Sequence, residues 1–92
     1  MEHGVSVYGA DGCMETGRTR EHLQDLGIRH RYFNVEEDTM AELRVRTWNE
    51  GKRCTPIVIV RSSDGMERLS APSHAELDEV LARFGLLSAA GR

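Results

Sequence analysis

Apolar and polar positions alternate where the chain opens: Val5, Ser6 and Val7, followed by Tyr8, read as a first strand. Gly9 to Gly12 break that run. From Cys13 to Leu26 no proline intervenes, and Gly27 stands where a helix C-cap glycine belongs, so a first helix is predicted there. Its apolar face is thin: Met14, Leu23 and Leu26, helped by Thr16 and Thr19. Ile28 to Val35 (IRHRYFNV) has the β-branched and aromatic content of a second strand. Thr39-Met40-Ala41-Glu42 has the form of a capping box, opening a second helix that turns Met40, Leu43 and Trp48 inward and stops near Gly51.

Pro56 to Val60 (PIVIV) is a continuous apolar run, the mark of a strand covered on both faces. Ser63-Asp64-Gly65 reads as a turn, and Met66 to Ser70 as a short returning strand. Ser73-His74-Ala75-Glu76 is a second capping box, ahead of Leu77, Val80, Leu81 and Phe84 at helical spacing. The early strand–helix–strand unit implies parallel pairing, and the tight turn near Gly65 an antiparallel hairpin. An α/β fold follows: a four-stranded mixed sheet flanked by three helices. The loop before Cys13 then lies at the carboxyl end of a strand, where such sheets place their sites.

Composition narrows the classes. At 92 residues the chain is expected to be one domain over residues 1–92, with its core from about 5 to 85 and a frayed tail at 86–92. A net charge of −3 gives no basic footprint, so nucleic acid is not an expected partner. No run approaches the ~20 apolar residues of a membrane span, so no membrane partner is expected either. The start MEHGVSVYGA lacks the features of a signal peptide. Two cysteines in such a chain read as thiols of a reducing cytoplasm. His3, His22, His30 and His74 do not fall at metal-ligand spacing with Cys13 or Cys54, so no metal is expected.

Cys13 carries the chemistry. A cysteine at a helix start is favoured as thiolate by the helix dipole, and Thr16, one turn on, can donate to the sulfur. Asp11 and Glu15 oppose ionisation, while Arg18, Lys52 and Arg53 are candidates to favour it; the sum is a thiol lowered toward neutrality. Plainer readings stand beside these. Cys13 as a small core residue is at odds with its glycine-flanked loop. Thr16 can satisfy its hydroxyl within the first helical turn, Pro56 can be an ordinary proline at a strand start, and Arg53 a surface charge.

Two stretches carry a resemblance. WNEGKRCTPIVIV (Trp48 to Val60) resembles N-G-G-x-R-[ST]-V-P-T-V, and DGMERLSAPSHAEL (Asp64 to Leu77) resembles D-G-x-x-L-x-x-P-S-x-x-E-L with one extra residue before Leu69. Both patterns are those of the small mycoredoxin-like proteins within the glutaredoxin family, which the chain resembles from about Val5 to Phe84. The resemblance implies a thioredoxin-like fold with Cys13 as nucleophile and a cis Thr55-Pro56 bond near it. It also implies that Thr55, Pro56, Arg53, Pro72 and Ser73 hold a small thiol. The departures are specific: the family's C-x-x-C is CMET here, its aromatic residue before the first cysteine is Gly12, and Cys54-Thr55 precedes the proline. Nothing matches the cysteine-glycine-phenylalanine-serine motif of the cluster-carrying branch.

With one cysteine at the helix start, the implied cycle is monothiol. Mycothiol or glutathione acts as co-substrate, no cofactor is bound, and the partners are this low-molecular-weight thiol and substrate proteins bearing it or a disulfide. Cys54 is a possible resolving thiol, although neighbours in an extended segment point to opposite sides, so Thr55 facing Cys13 turns Cys54 away. The alternatives are a non-catalytic binding module of the same fold, or a redox sensor capped at Cys13.

Overall fold

The computed structural model describes residues 4–51, 56–63 and 65–87. Seven elements follow one another: β1 (Gly4–Gly9), α1 (Met14–Asp25), β2 (Arg31–Asn34), α2 (Thr39–Trp48), β3 (Ile57–Ser62), β4 (Gly65–Ser70) and α3 (His74–Arg83). The strand order is β2-β1-β3-β4, with β1 parallel to β2 and antiparallel to β3, and β3 antiparallel to β4. The sequence of elements and the mixed sheet are those the patterning predicts.

Two apolar cores lie on opposite faces, because β1 and β3 are buried on both sides. Val5, Val7, Val58 and Val60 meet Leu23 of α1 and Leu77, Val80 and Leu81 of α3. Tyr8, Ile57 and Ile59 meet Val35 and the Ala41 and Val45 side chains of α2. The first helix ends as its sequence predicts. Gly27 takes φ 74°, its amide donates to the Gln24 carbonyl, and the Ile28 amide donates to the Leu23 carbonyl.

Several details differ from expectation. β2 begins at Arg31, so Ile28 serves the C-cap of α1 rather than a strand. Asp38, not Thr39, caps α2, accepting from the Ala41 amide at 3.1 Å. Met40 and Leu43 are exposed, as is Met14 of α1. Small Ala41 and Val45, one turn apart, let α2 sit close on Tyr8 and Ile57, and the larger side chains beside them are turned outward. Leu86 and Leu87, assigned to the tail, pack against the α1/α3 core. Among the described residues no helix is long and apolar enough to cross a membrane.

Candidate active site

Strand register assembles one end of the sheet. Gly9 lies opposite Asn34, Tyr8 opposite Ile57, and Ile57 opposite Ser70. The end of β1, the end of β2, the start of β3 and the end of β4 therefore form one row. At ~4.8 Å between strands that row spans roughly 14 Å. Cys13 follows the end of β1, Pro56 directly precedes β3, and Pro72-Ser73 follows β4.

Between β1 and α1 the chain makes a tight turn, in which the Cys13 amide donates to the Ala10 carbonyl at 3.0 Å. Cys13 is the N-cap of α1, extended at φ −90° and ψ 118°, and its carbonyl accepts from the Gly17 amide at 3.2 Å. Its side chain makes no capping bond to the first-turn amides. The thiol is half-buried, resting on the Tyr8–Ile57 core rather than sinking into it. Gly12 leaves the approach open, since a β-carbon there meets no atom within 4 Å. Met14, beside the thiol, is 69% exposed and offers an apolar contact at the mouth of the site.

Thr16 sits elsewhere than expected. It is fully buried, and its hydroxyl accepts from the Ala10 amide at 3.4 Å, not from or to the sulfur. The cause is Gly9: a β-carbon there would lie 2.4 Å from Thr16 Oγ1 and 2.5 Å from Cγ2, so the threonine occupies the space glycine leaves. Thr16 thus fastens the turn that presents Cys13.

A second fastening joins the same turn to β2. The Tyr32 hydroxyl donates to Asp11 Oδ1 at 2.8 Å, and the Arg20 guanidinium lies 3.8 Å from the Tyr32 ring centre. Partial burial first, then the Asp11 hydrogen bond and charge, push the Tyr32 phenol up to about 12, against the opposing pull of Arg20. Glu15, expected to oppose ionisation of Cys13, pairs with Arg18 at 3.3 Å on the surface. Arg18 is thereby engaged with Glu15.

Pro56 and Pro72 are buried. The Ala71 amide donates to the Pro56 carbonyl at 2.7 Å, and Ala71 takes a left-handed φ of 46°, so the two proline segments are stitched side by side. Ser73 is exposed and caps α3 in a complete capping box: its hydroxyl accepts from the Glu76 amide at 3.1 Å, and its amide donates to Glu76 Oε1 at 2.8 Å. Arg53, Cys54 and Thr55, with the Thr55-Pro56 bond, lie outside the described residues, as does Lys52. The register therefore brings Cys13, Pro56, Pro72 and Ser73 to one edge, with Thr16 beneath it.

Sequence reasoning missed Tyr32, Gly9 and Ala71. The Tyr32–Asp11 contact spans residues with no shared motif, and only the glycine ending an apolar strand hinted at a close approach.

No protein-family model matches the sequence, and no curated protein matches it by sequence. The structure is similar to the crystal structure of a glutaredoxin from Archaeoglobus fulgidus, with a TM-score of 0.63 and 19% identity over 86% of this chain and 86% of that one. That likeness and the β2-β1-β3-β4 mixed sheet with its three helices establish that the chain has the thioredoxin-like fold on which glutaredoxins are built.

Proposed function

We propose that the protein is a monothiol, glutaredoxin-like thiol–disulfide oxidoreductase working through Cys13 in a reducing cytoplasm. One observation carries this reading above the others: a half-exposed thiol at the start of α1, on the sheet edge that also bears Pro56 and Pro72. The α1 dipole favours the thiolate there, and the open side at Gly12 admits a disulfide.

The cycle has two exchanges. The Cys13 thiolate attacks the small-thiol sulfur of a protein mixed disulfide. The S–S bond breaks, the substrate cysteine leaves as thiolate, and Cys13 carries the small thiol. A second small thiol, deprotonated, attacks that sulfur, releasing the symmetrical small disulfide and regenerating the Cys13 thiolate. Thr16 offers no second sulfur and is buried, which suits a monothiol cycle. Mycothiol is preferred over glutathione as co-substrate, on the resemblance of the Trp48–Val60 and Asp64–Leu77 segments to mycoredoxin-like proteins. Thr55 and Arg53 belong to this reading as ligand-holding residues, with Pro56, Pro72 and Ser73.

The test compares reduction of a mycothiol-modified and a glutathione-modified protein by wild type, Cys13→Ser and Cys54→Ser. Cys13→Ser is expected to lose transfer with either thiol, and Cys54→Ser to keep most of it, with the mycothiol adduct reduced faster. A Cys54→Ser variant as inactive as Cys13→Ser replaces the monothiol cycle with a two-cysteine route. Full transfer by Cys13→Ser removes the enzymatic reading altogether.

A further inference from the structure

The α2-facing side of the sheet is filled at one end only. Along β1 its residues run Gly4, Ser6, Tyr8, and α2 packs through Ala41 and Val45 onto the Tyr8 end. Gly4 and Ser6 present almost no side chain, and there the sheet is open. A depression of about 520 Å³ results, with Ser6 and Ile59 at its base and Arg29, His30, Arg31 and Arg61 lining it. Register places Arg31 opposite Ser6 on β2, and Arg61 opposite Gly4 on β3. Two strand spacings across the sheet and two residues along it separate their backbones by roughly 12 Å, a gap that two long side chains can close on one anion.

The charges lack internal partners. Among the described residues Arg29, Arg31 and Arg61 make no ion pair or side-chain hydrogen bond, while Arg18, Arg46 and Arg83 each hold a carboxylate. His30 engages only its Nδ1, toward the Ile28 carbonyl at 3.4 Å. Among the described residues no acidic one lines the depression. By contrast, the groove at the thiol end of the sheet is lined by Asp11, Glu37 and Asp38 and, among the described residues, by no basic one. A protein of net charge −3 thus keeps around one concavity three guanidiniums that have no carboxylate partner among the described residues.

We propose that this depression binds a small organic phosphate, Arg31 and Arg61 clamping the phosphate oxygens and Ile59 lying under the organic part. Guanidiniums recognise phosphate through paired N–H donors. The volume falls within the ~300–1,000 Å³ of small-molecule sites. The site is at the opposite end of the sheet from Cys13, so it stands independently of the thiol chemistry.

Amide NMR titration of the full chain with ADP, pyrophosphate, adenosine and a hexaglutamate peptide tests it. ADP is expected to give saturable shifts at Ser6, Arg31 and Ile59, pyrophosphate weaker ones at the same amides, and adenosine none. The exposed double substitution Arg31→Gln/Arg61→Gln is expected to weaken ADP binding by about tenfold or more, while Cys13→Ser leaves it unchanged. Absence of saturable shifts at millimolar ADP overturns the proposal. So does equal binding by the double variant, adenosine binding as tightly as ADP, or hexaglutamate binding more tightly than ADP.

Discussion

Two helices begin at the same edge of the sheet, and they begin differently. α3 starts with a complete capping box, its Ser73 and Glu76 satisfying each other's backbone amides. α1 starts with Cys13, whose side chain makes no capping bond. The joints ahead of them differ too. The turn before α1 is held by Thr16 against Gly9 and by Tyr32 on Asp11, whereas the segment before α3 is held by the Pro56–Ala71 backbone bond. At α3 the helix start is closed for stability. At α1 a residue poor at capping is kept, and the stability it forgoes is supplied by neighbouring contacts.

The largest expected effect comes from breaking the seat of α1. Gly9→Ala drives a β-carbon to within 2.4 Å of Thr16 Oγ1 and 2.5 Å of Cγ2, both on a fully buried side chain in the first helical turn. Overpacking of this kind destabilises by about 1–3 kcal/mol, and the upper end is expected because the atoms met belong to a short, buried side chain with little room to yield. Urea unfolding measures it. Thr16→Ala in the same chain should recover a large part of the loss, and a Gly9→Ala variant as stable as wild type would show that the seat is loose.

How much of this contrast could be read from sequence depends on the range of the interactions. The α3 capping box is four consecutive residues, and Ser73-His74-Ala75-Glu76 was legible as it stands. Gly27 was legible for the same reason, its left-handed φ being a local demand. The α2 cap is less legible, since Asp38 and Thr39 are both good caps and only the structure shows that Asp38 accepts from the Ala41 amide. Met14, Met40 and Leu43 were misread because an apolar residue at a helical position says nothing of what faces it. The place of Cys13 at a helix start after a glycine-rich turn is legible in its neighbours, because both features are local. The true duty of Thr16 depends on a glycine in the preceding strand, and that of Tyr32 on β2 lying parallel to β1.

Exchanging the quality of the two caps sharpens the comparison at an intermediate size. Cys13→Ser supplies a good capping oxygen at the N-cap of α1 and is expected to raise stability by roughly 0.5–1 kcal/mol. Ser73→Ala removes the hydroxyl that accepts from the Glu76 amide, leaves the backbone amide that donates to Glu76 Oε1, and is expected to lower stability by about 1 kcal/mol. Parallel urea melts of the two variants read these opposite signs. If Cys13→Ser is destabilising by as much as Ser73→Ala, the thiol contributes packing that outweighs the missing cap, and α1 is not held at a deficit for function.

The smallest effect concerns the Tyr32 fastening, and pH separates it from the rest. Tyr32→Phe keeps the ring beneath Arg20 and deletes the hydroxyl on Asp11, for an expected loss of about 0.5 kcal/mol near neutral pH, the low end for a hydrogen bond because this one is exposed. The folded phenol is pushed up to about 12 from 10.0, chiefly by partial burial and then by Asp11, so the folded state holds this proton more tightly than the unfolded one. A raised value of this kind stabilises fully below the unfolded value and is lost as pH climbs through the folded one. The advantage of wild type over Tyr32→Phe should therefore hold steady up to pH 10.0 and shrink between there and about 12. Other groups titrate in that range, and taking the difference between the two proteins at each pH cancels them. A difference that stays constant through the alkaline range would mean that Asp11 does not grip the phenol, and the turn presenting Cys13 would then rest on Thr16 and Gly9 alone.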